Sequence, residues 1–354
     1  MDPAEFRAHF PVFERAAYLN AGSDGPLPAA AVRAGQDALG AEGADGRTTA
    51  HFMARREGND ALRDVYAARL GCDPLEVALT TSTSEGMGKV LIGLGLKPGE
   101  EVLTSDQEHP GLIGPLLAVK ARGVRVRTGP LPTLADHVTP QTTAVCCSHV
   151  GWVTGEYADP RLGDAGIPLV LDGAQGVGAV PVDVRTLNCL AYAGAGQKWL
   201  CGADGTGMLY LSDPERVAAL APAYLAFAEP AKGLDSGLHP DARRHDTPSL
   251  SREVVQVSLA AAHVLEAFGW DAVHERGTAM AASLADRLAA SGRTVAPRDR
   301  TTLVSWEDPD PEATATRLAG DGIMIRFLPG RPYLRASVGA WNDDADLDRL
   351  LEAL

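Results

Sequence analysis

Residues 169–184, LVLDGAQGVGAVPVDV, and residues 194–207, GAGQKWLCGADGTG, each carry a polar residue at the end of a short apolar run. Runs this short, bounded by glycine, read as buried strands closed by tight turns. An aspartate in such a position is ordinarily a strand terminus or a helix cap, and a strand-end lysine is ordinarily a solvated turn residue. Lysine is scarce in this chain, however. Lys89, Lys97, Lys120, Lys198 and Lys232 are the only five, so 27 of the 32 basic residues are arginines. Lys198 sits alone among glycines and apolar residues, 26 positions after Asp172.

Outward from this pair the pattern alternates. Residues 28–70 are helical and close on a glycine. Apolar runs then recur in EVALTTS, EVLTSD, VRVRTGP, TTAVCCSHV, IPLVLDGA, LNCLAYAG and GTGMLYLS, separated by helical or loop segments. Seven such runs predict an α/β architecture, with a mostly parallel seven-stranded sheet flanked by helices. Two long helical patterns begin near residue 252. They precede the short runs RTVAP, TTLVSWED, IMIRFL and YLRASV and a final helix, DDADLDRLLEAL, which together predict a smaller α+β C-terminal domain. The expected division is a large cofactor-binding domain over 20–231 and a small domain from 1–19 and 232–354. Repeats and low-complexity tracts are absent.

Composition narrows the function. A net charge of −14 argues against nucleic acid or an anionic membrane as partner. No apolar run reaches the roughly 18 residues of a spanning helix, and the N-terminus lacks the basic-then-apolar form of a signal peptide. Five cysteines, mostly in apolar stretches, fit reduced thiols in a cytoplasmic protein. G-x-G-x-x-G, the P-loop, H-E-x-x-H, C-x-x-C and G-x-S-x-G do not occur, and the nine histidines are scattered, so no metal site is expected.

The chemistry therefore rests on strand ends, where open α/β sheets bind ligands. Asp172, Gln175, Lys198 and His109 all fall at such ends. A lysine that can form a Schiff base, with a carboxylate that keeps a pyridine nitrogen protonated, is the minimal equipment for pyridoxal phosphate chemistry. The Asp–Lys segments, with YLNAGSDGPLP, TTSTSEG, DQEHPG, SHVGWVTG, HDTP and YLRASVGAWN, resemble the class V aminotransferase and cysteine desulfurase group of fold-type I pyridoxal phosphate enzymes. The likeness runs over nearly the whole chain.

That resemblance implies pyridoxal 5'-phosphate as cofactor and assigns roles residue by residue. Lys198 would carry the cofactor as a Schiff base and act as the base. Asp172 would face the pyridine nitrogen, Gln175 the ring hydroxyl, and His109 the ring face, where it could also pass a proton. Thr83 and Ser84 would open a helix whose N-terminus suits a phosphate. Thr247 would reach the phosphate of a neighbouring subunit, giving a homodimer with shared sites. Arg335 would fork onto the substrate carboxylate, and Asn20, Gly22 and Trp152 would line the substrate pocket.

The departures from the group are informative. Gln197 stands where a histidine is common, and Ala195 replaces a familiar serine. Trp152 stands where desulfurases carry asparagine, which resembles the carbon–sulfur lyase and isopenicillin N epimerase-like branches. No cysteine follows Cys201, so the sulfur-capturing loop cysteine of a desulfurase is missing; Cys201 itself reads as a packed thiol. The expected reaction is α,β-elimination from a cysteine- or cystine-type amino acid. Transamination, epimerisation and a non-catalytic scaffold are the alternatives.

Overall fold

The computed structural model describes residues 1–354. Asp2 and Glu5 form a capping box that starts α1 (Pro3–Ala8), and β1 (Ala17–Tyr18) follows. Helices α2 (Ala29–Asp45) and α3 (Thr49–Leu70) come next, and α3 stops at Gly71 in the left-handed conformation. The chain then alternates through β2 (Val77–Thr80), α4 (Thr83–Gly93), β3 (Glu101–Ser105), α5 (Pro110–Ala121) and β4 (Arg125–Gly129). Strands β5 (Thr142–Ser148), β6 (Leu169–Asp172), β7 (Ala191–Ala195) and β8 (Gly207–Leu211) complete the sheet.

All seven expected strands are present, in the order β2-β8-β7-β6-β5-β3-β4. Only β8 runs against its neighbours, β2 and β7. Strands β6, β7 and β8 are buried at every position, which is why their sequences are unbroken apolar runs rather than alternating ones. Parallel order has a consequence for chemistry. The carboxyl ends of β2, β3, β5, β6 and β7 all open on one edge of the sheet.

The C-terminal part begins with α6 (Arg252–Phe268), which packs on α2 and α3, and α7 (Trp270–Ala290). It continues through β9 (Leu303–Glu307), α8 (Pro311–Gly320), β10 (Ile323–Met324), β11 (Arg326–Phe327), β12 (Tyr333–Ser337) and α9 (Asp344–Ala353). Two expected strands differ. RTVAP forms no strand and makes only a bridge from Val295 to Trp306. IMIRFL divides at Ile325, because β10 pairs with β1 while β11 pairs with β12. Helix α8 has no counterpart in the periodicity reading, although Asp310 caps it and Pro311 opens it. Phe6 stacks on Phe268 at 4.1 Å, and Phe10 packs on Trp341 at 5.4 Å, so the N-terminal segment is fixed to elements more than 250 residues away.

Helix α4 lies close on β7 because Gly86 has no side chain. A Cβ at Gly86 would stand 2.8 Å from the Cβ of Ala193. Gly86→Ala should therefore destabilise the protein by about 1–3 kcal/mol through overpacking. Denaturant midpoints check this; an unchanged midpoint would show that the helix can shift freely.

Candidate active site

Strand β6 ends in Asp172, a buried carboxylate whose Oδ1 accepts from Ala174 N at 2.9 Å. Its Oδ2 has no protein partner. Burial raises the Asp172 pKa, and the nearby Lys198 cation opposes that rise. Strand β7 delivers Lys198 three residues past its end. The Lys198 amine makes no hydrogen bond or ion pair to the protein. Burial pushes its pKa down to about 8; Arg335 and Arg326 push the same way, while Asp172 and Asp24 oppose them. The loop after β1 closes over this lysine, with Gly25 N donating to Gln197 O at 2.7 Å.

His109 caps α5. Its Nδ1 accepts from Gly111 N at 3.0 Å, so the neutral ring carries its proton on Nε2. Burial and the positive charges of Lys198, Arg326 and Arg335 push its pKa to about 4. The ring meets Trp152 edge-on at 5.0 Å and 90°. Ser82, not Thr83, caps α4 by accepting from Glu85 N at 3.1 Å. Thr83 is buried and its Oγ1 has no partner, while Ser84 is exposed beside Gly111.

Arg335 is fully buried on β12. Its Nη1 donates to Trp152 O at 2.7 Å, whereas Nε and Nη2 are unpartnered. Burial, then the charge of Arg326, lowers its pKa to about 9. Gly22 lies against this free edge: a Cβ there would stand 3.0 Å from Nη2 and 2.6 Å from Ser337 Oγ. Asn20 bridges Ser337 and accepts from Ser23 Oγ at 2.9 Å. The Gln175 amide is held at both ends, donating to Gly22 O at 2.7 Å and accepting from Trp199 Nε1 at 3.0 Å. One Nε2 hydrogen is left for a ligand.

Thr247 lies apart from this cluster, beside β2, with its N donating to Leu79 O at 2.8 Å. The preceding Asp246 forms a buried two-pronged pair with Arg63 at 3.0 and 2.8 Å and accepts from Leu79 N at 2.9 Å. Cys201 is buried with its thiol pushed upward by burial, and its backbone is left-handed at φ 53°. A packed thiol fits these facts.

The residue that sequence reasoning missed is Arg326. It stands directly opposite Arg335 in the β11–β12 pairing and donates to Ser23 Oγ at 3.1 Å. No carboxylate lies within ion-pair reach of it. Three cations (Lys198, Arg326, Arg335) thus converge with two carboxylates (Asp172, Asp24). The signal was present in RFLPGRPYLR, but only strand register reveals it.

Three comparisons bear on this geometry. Residues 17–350 match the aminotransferase class-V family model. Isopenicillin N epimerase of Streptomyces clavuligerus is 30% identical over 386 aligned positions, covering 95% of this chain and 93% of that protein. A C-DES mutant with glycine covalently linked to its PLP cofactor superposes with TM-score 0.90 at 25% identity, over 98% of each chain. The cystine C–S lyase C-DES in complex with its product cysteine persulfide superposes with TM-score 0.89 at 25% identity, over 97% of this chain and 98% of the other.

A depressed Lys198 amine has a direct readout. In the apoprotein, acylation of Lys198, followed by peptide mass mapping, should rise with pH through about 8 as the amine loses its proton. A profile centred near the ordinary lysine value of about 10.4 would contradict the burial argument.

Proposed function

The chain belongs to the aminotransferase class-V family, and from that premise we propose that it is a pyridoxal 5'-phosphate-dependent carbon–sulfur lyase acting on a cystine-type amino acid. The family match, the C-DES structures and the fold-type I architecture support a PLP enzyme. The unpartnered polar atoms of the site fit that cofactor. Lys198 has a partner-free amine, Asp172 a free Oδ2, and Thr83 a buried, unpartnered Oγ1 at the start of α4. Lys198 would anchor the group, Asp172 would face its ring nitrogen, and Thr83 with Ser84 and the α4 N-terminus would hold its phosphate. When bound, PLP supplies an electrophilic carbonyl and a cationic ring that withdraws electrons from the substrate carbon.

The chain's own residues supply the rest. Near neutral pH a fraction of the Lys198 amine is unprotonated, so its Nζ can take a proton from a substrate carbon and return it. His109 stays neutral down to about pH 4 and offers an Nε2–H toward the same space. Arg335 has a free Nε–Nη2 edge, matched to one carboxylate. Gly22 keeps that edge open. In this reading the part of residues 20–231 that carries Lys198 and Asp172 holds the cofactor, and Arg335 from the C-terminal part holds the substrate. Two copies would complete each site through Thr247.

The observation that carries the substrate class is the pair Arg326 and Arg335, side by side with no carboxylate bound to either. Two uncompensated guanidiniums suit a substrate with two carboxylates. Cystine is such a substrate, cysteine is not, and elimination needs only a leaving group on Cβ. The absence of any cysteine after Cys201 favours release of the sulfur product over its capture. Epimerisation is the second reading, favoured by the 30% identity to isopenicillin N epimerase.

Purified holoenzyme with cystine should yield pyruvate, ammonia and a persulfide without an added keto acid. A requirement for a keto acid would replace this reading with transamination, and inversion at Cα without pyruvate would replace it with epimerisation. Borohydride reduction should fix the pyridoxyl group on Lys198, and label on any of the other four lysines would refute the anchor. Arg326→Ala should raise KM for cystine about ten- to a hundredfold, the worth of one charged hydrogen bond. The same variant should leave an S-alkylcysteine little changed, whereas Arg335→Ala should weaken both; equal losses in Arg326→Ala would remove the two-carboxylate argument.

A further inference from the structure

Glu108 precedes His109 in the turn between β3 and α5, and neither the resemblance nor the site description gives it a task. It is buried, yet no cation touches it. Its Oε1 accepts from Ser105 Oγ at 2.5 Å and from Ser148 N at 3.0 Å. Its Oε2 accepts from Ser148 Oγ at 2.6 Å and from Ser148 N at 3.1 Å. Ser148 is the strand partner of Asp172, and the next residue, His149, donates its N–H to Asp172 O at 2.8 Å. One carboxyl therefore fastens the turn bearing His109 to the strand end beside Asp172.

The same carboxyl has a second exposure. It lines a cavity of about 340 Å³ beside α5, β3 and β4, together with Thr104, Ser105, Asp106, Lys120 and Arg331. Thr104 Oγ1 is buried there without a partner. Ile113, Leu116, Leu117 and Val126 supply apolar walls, and the cavity gives a path by which water can reach Glu108.

We propose that Glu108 is a positioning residue for the site, clamping the His109 turn to the Asp172 strand and exchanging its proton with solvent through this cavity. The proposal rests on the PLP reading for its effect on catalysis. Burial drives Glu108 up to about pH 7 against the pull of the two serines, and the charge of Asp172 adds to the rise. The groups facing it are Asp172 on β6, Cys146 and Cys147 on β5, Asp106 and His109 in its own turn, Lys120 on α5, and Arg331. Of these the thiols are pushed far upward and stay neutral. Below about pH 7 the carboxyl is neutral; above it, a second negative charge stands behind Asp172.

The sign for stability follows from linkage. A carboxyl held more tightly protonated in the folded state contributes stability below the unfolded value of about 4.3, and that stability is lost as pH rises through the folded value. Melting temperatures of apoprotein and of Glu108→Gln, measured from about pH 4 to pH 8, should therefore differ by a loss that only the natural protein shows as pH approaches 7. Ser105→Ala keeps the carboxyl but removes a donor to its ionised form, and should move that loss to higher pH; it carries the test if Glu108→Gln does not fold. In the holoprotein, the pH midpoint of the cofactor's visible absorbance should shift by about half a pH unit or more between the natural protein and Glu108→Gln. Superimposable apoprotein curves would overturn proton exchange at Glu108, and superimposable absorbance titrations would overturn its action on the site. A protein that shows the apoprotein difference but takes up no cofactor would support the Glu108 proton and overturn the PLP reading instead.

Discussion

The structure depends on the burial of one amine among charges that do not cancel. Lys198 is taken out of bulk water at the end of β7, and the cost of that transfer falls on its charged form. Asp172, one strand away, limits the cost. Arg335 and Arg326, from the C-terminal part, add to it. Buried Arg335, with Lys198 and half-buried Arg326 beside it, outnumbers the site's one buried carboxylate, Asp172, since Asp24 is exposed. Such a cationic excess is unfavourable for the protein alone and becomes favourable when anions enter. Burial holds His109 neutral as well, and the same positive charges add to that effect, so desolvation first and the charge excess second set the state of both side chains.

The sheet makes this arrangement possible. Because β2, β3, β5, β6 and β7 share one direction, the residues after their ends share one rim, although they are spread from Thr83 to Lys198 in the sequence. Glycines then let other segments approach. Gly22 leaves the Arg335 edge open, and Gly86 lets α4 press on β7 and so fixes where Thr83 stands.

What the sequence disclosed, and what it concealed, follows the same division. The seven-stranded sheet and the strand-end placement of Asp172 and Lys198 were legible because each depends on local pattern: runs recurring between helices, and a polar residue closing an apolar run. Arg326 was not legible. It is nine positions from Arg335, and only the turn of a hairpin brings the two guanidiniums face to face. Helix α8 was missed for a different reason. Its cap, Asp310–Pro311, was present, but a ten-residue helix with only Ala315 and Leu318 buried gives a weak periodic signal. RTVAP read as a strand from its composition, yet it joins β9 through a single bridge, Val295 to Trp306, flanked by hydrogen bonds at Thr294 and Ala296, and Pro297 follows at once.

Buried polar groups extend the argument from the centre outward. Arg63 satisfies Asp246 with two hydrogen bonds and also donates to Val77 O, and Asp246 in turn holds Leu79 N, so the segment with Thr247 is tied to the β2 edge by charge rather than by apolar packing. Glu108 does the equivalent for the His109 turn without any cation, using three serine donors. The difference is physical. Asp246 has a guanidinium to balance its charge, whereas Glu108 is held only by hydroxyls and an amide, and burial pushes its carboxyl up to about 7. The fixed pair belongs to the frame, and the titrating one sits next to the chemistry, where a change of one proton can be felt at Asp172.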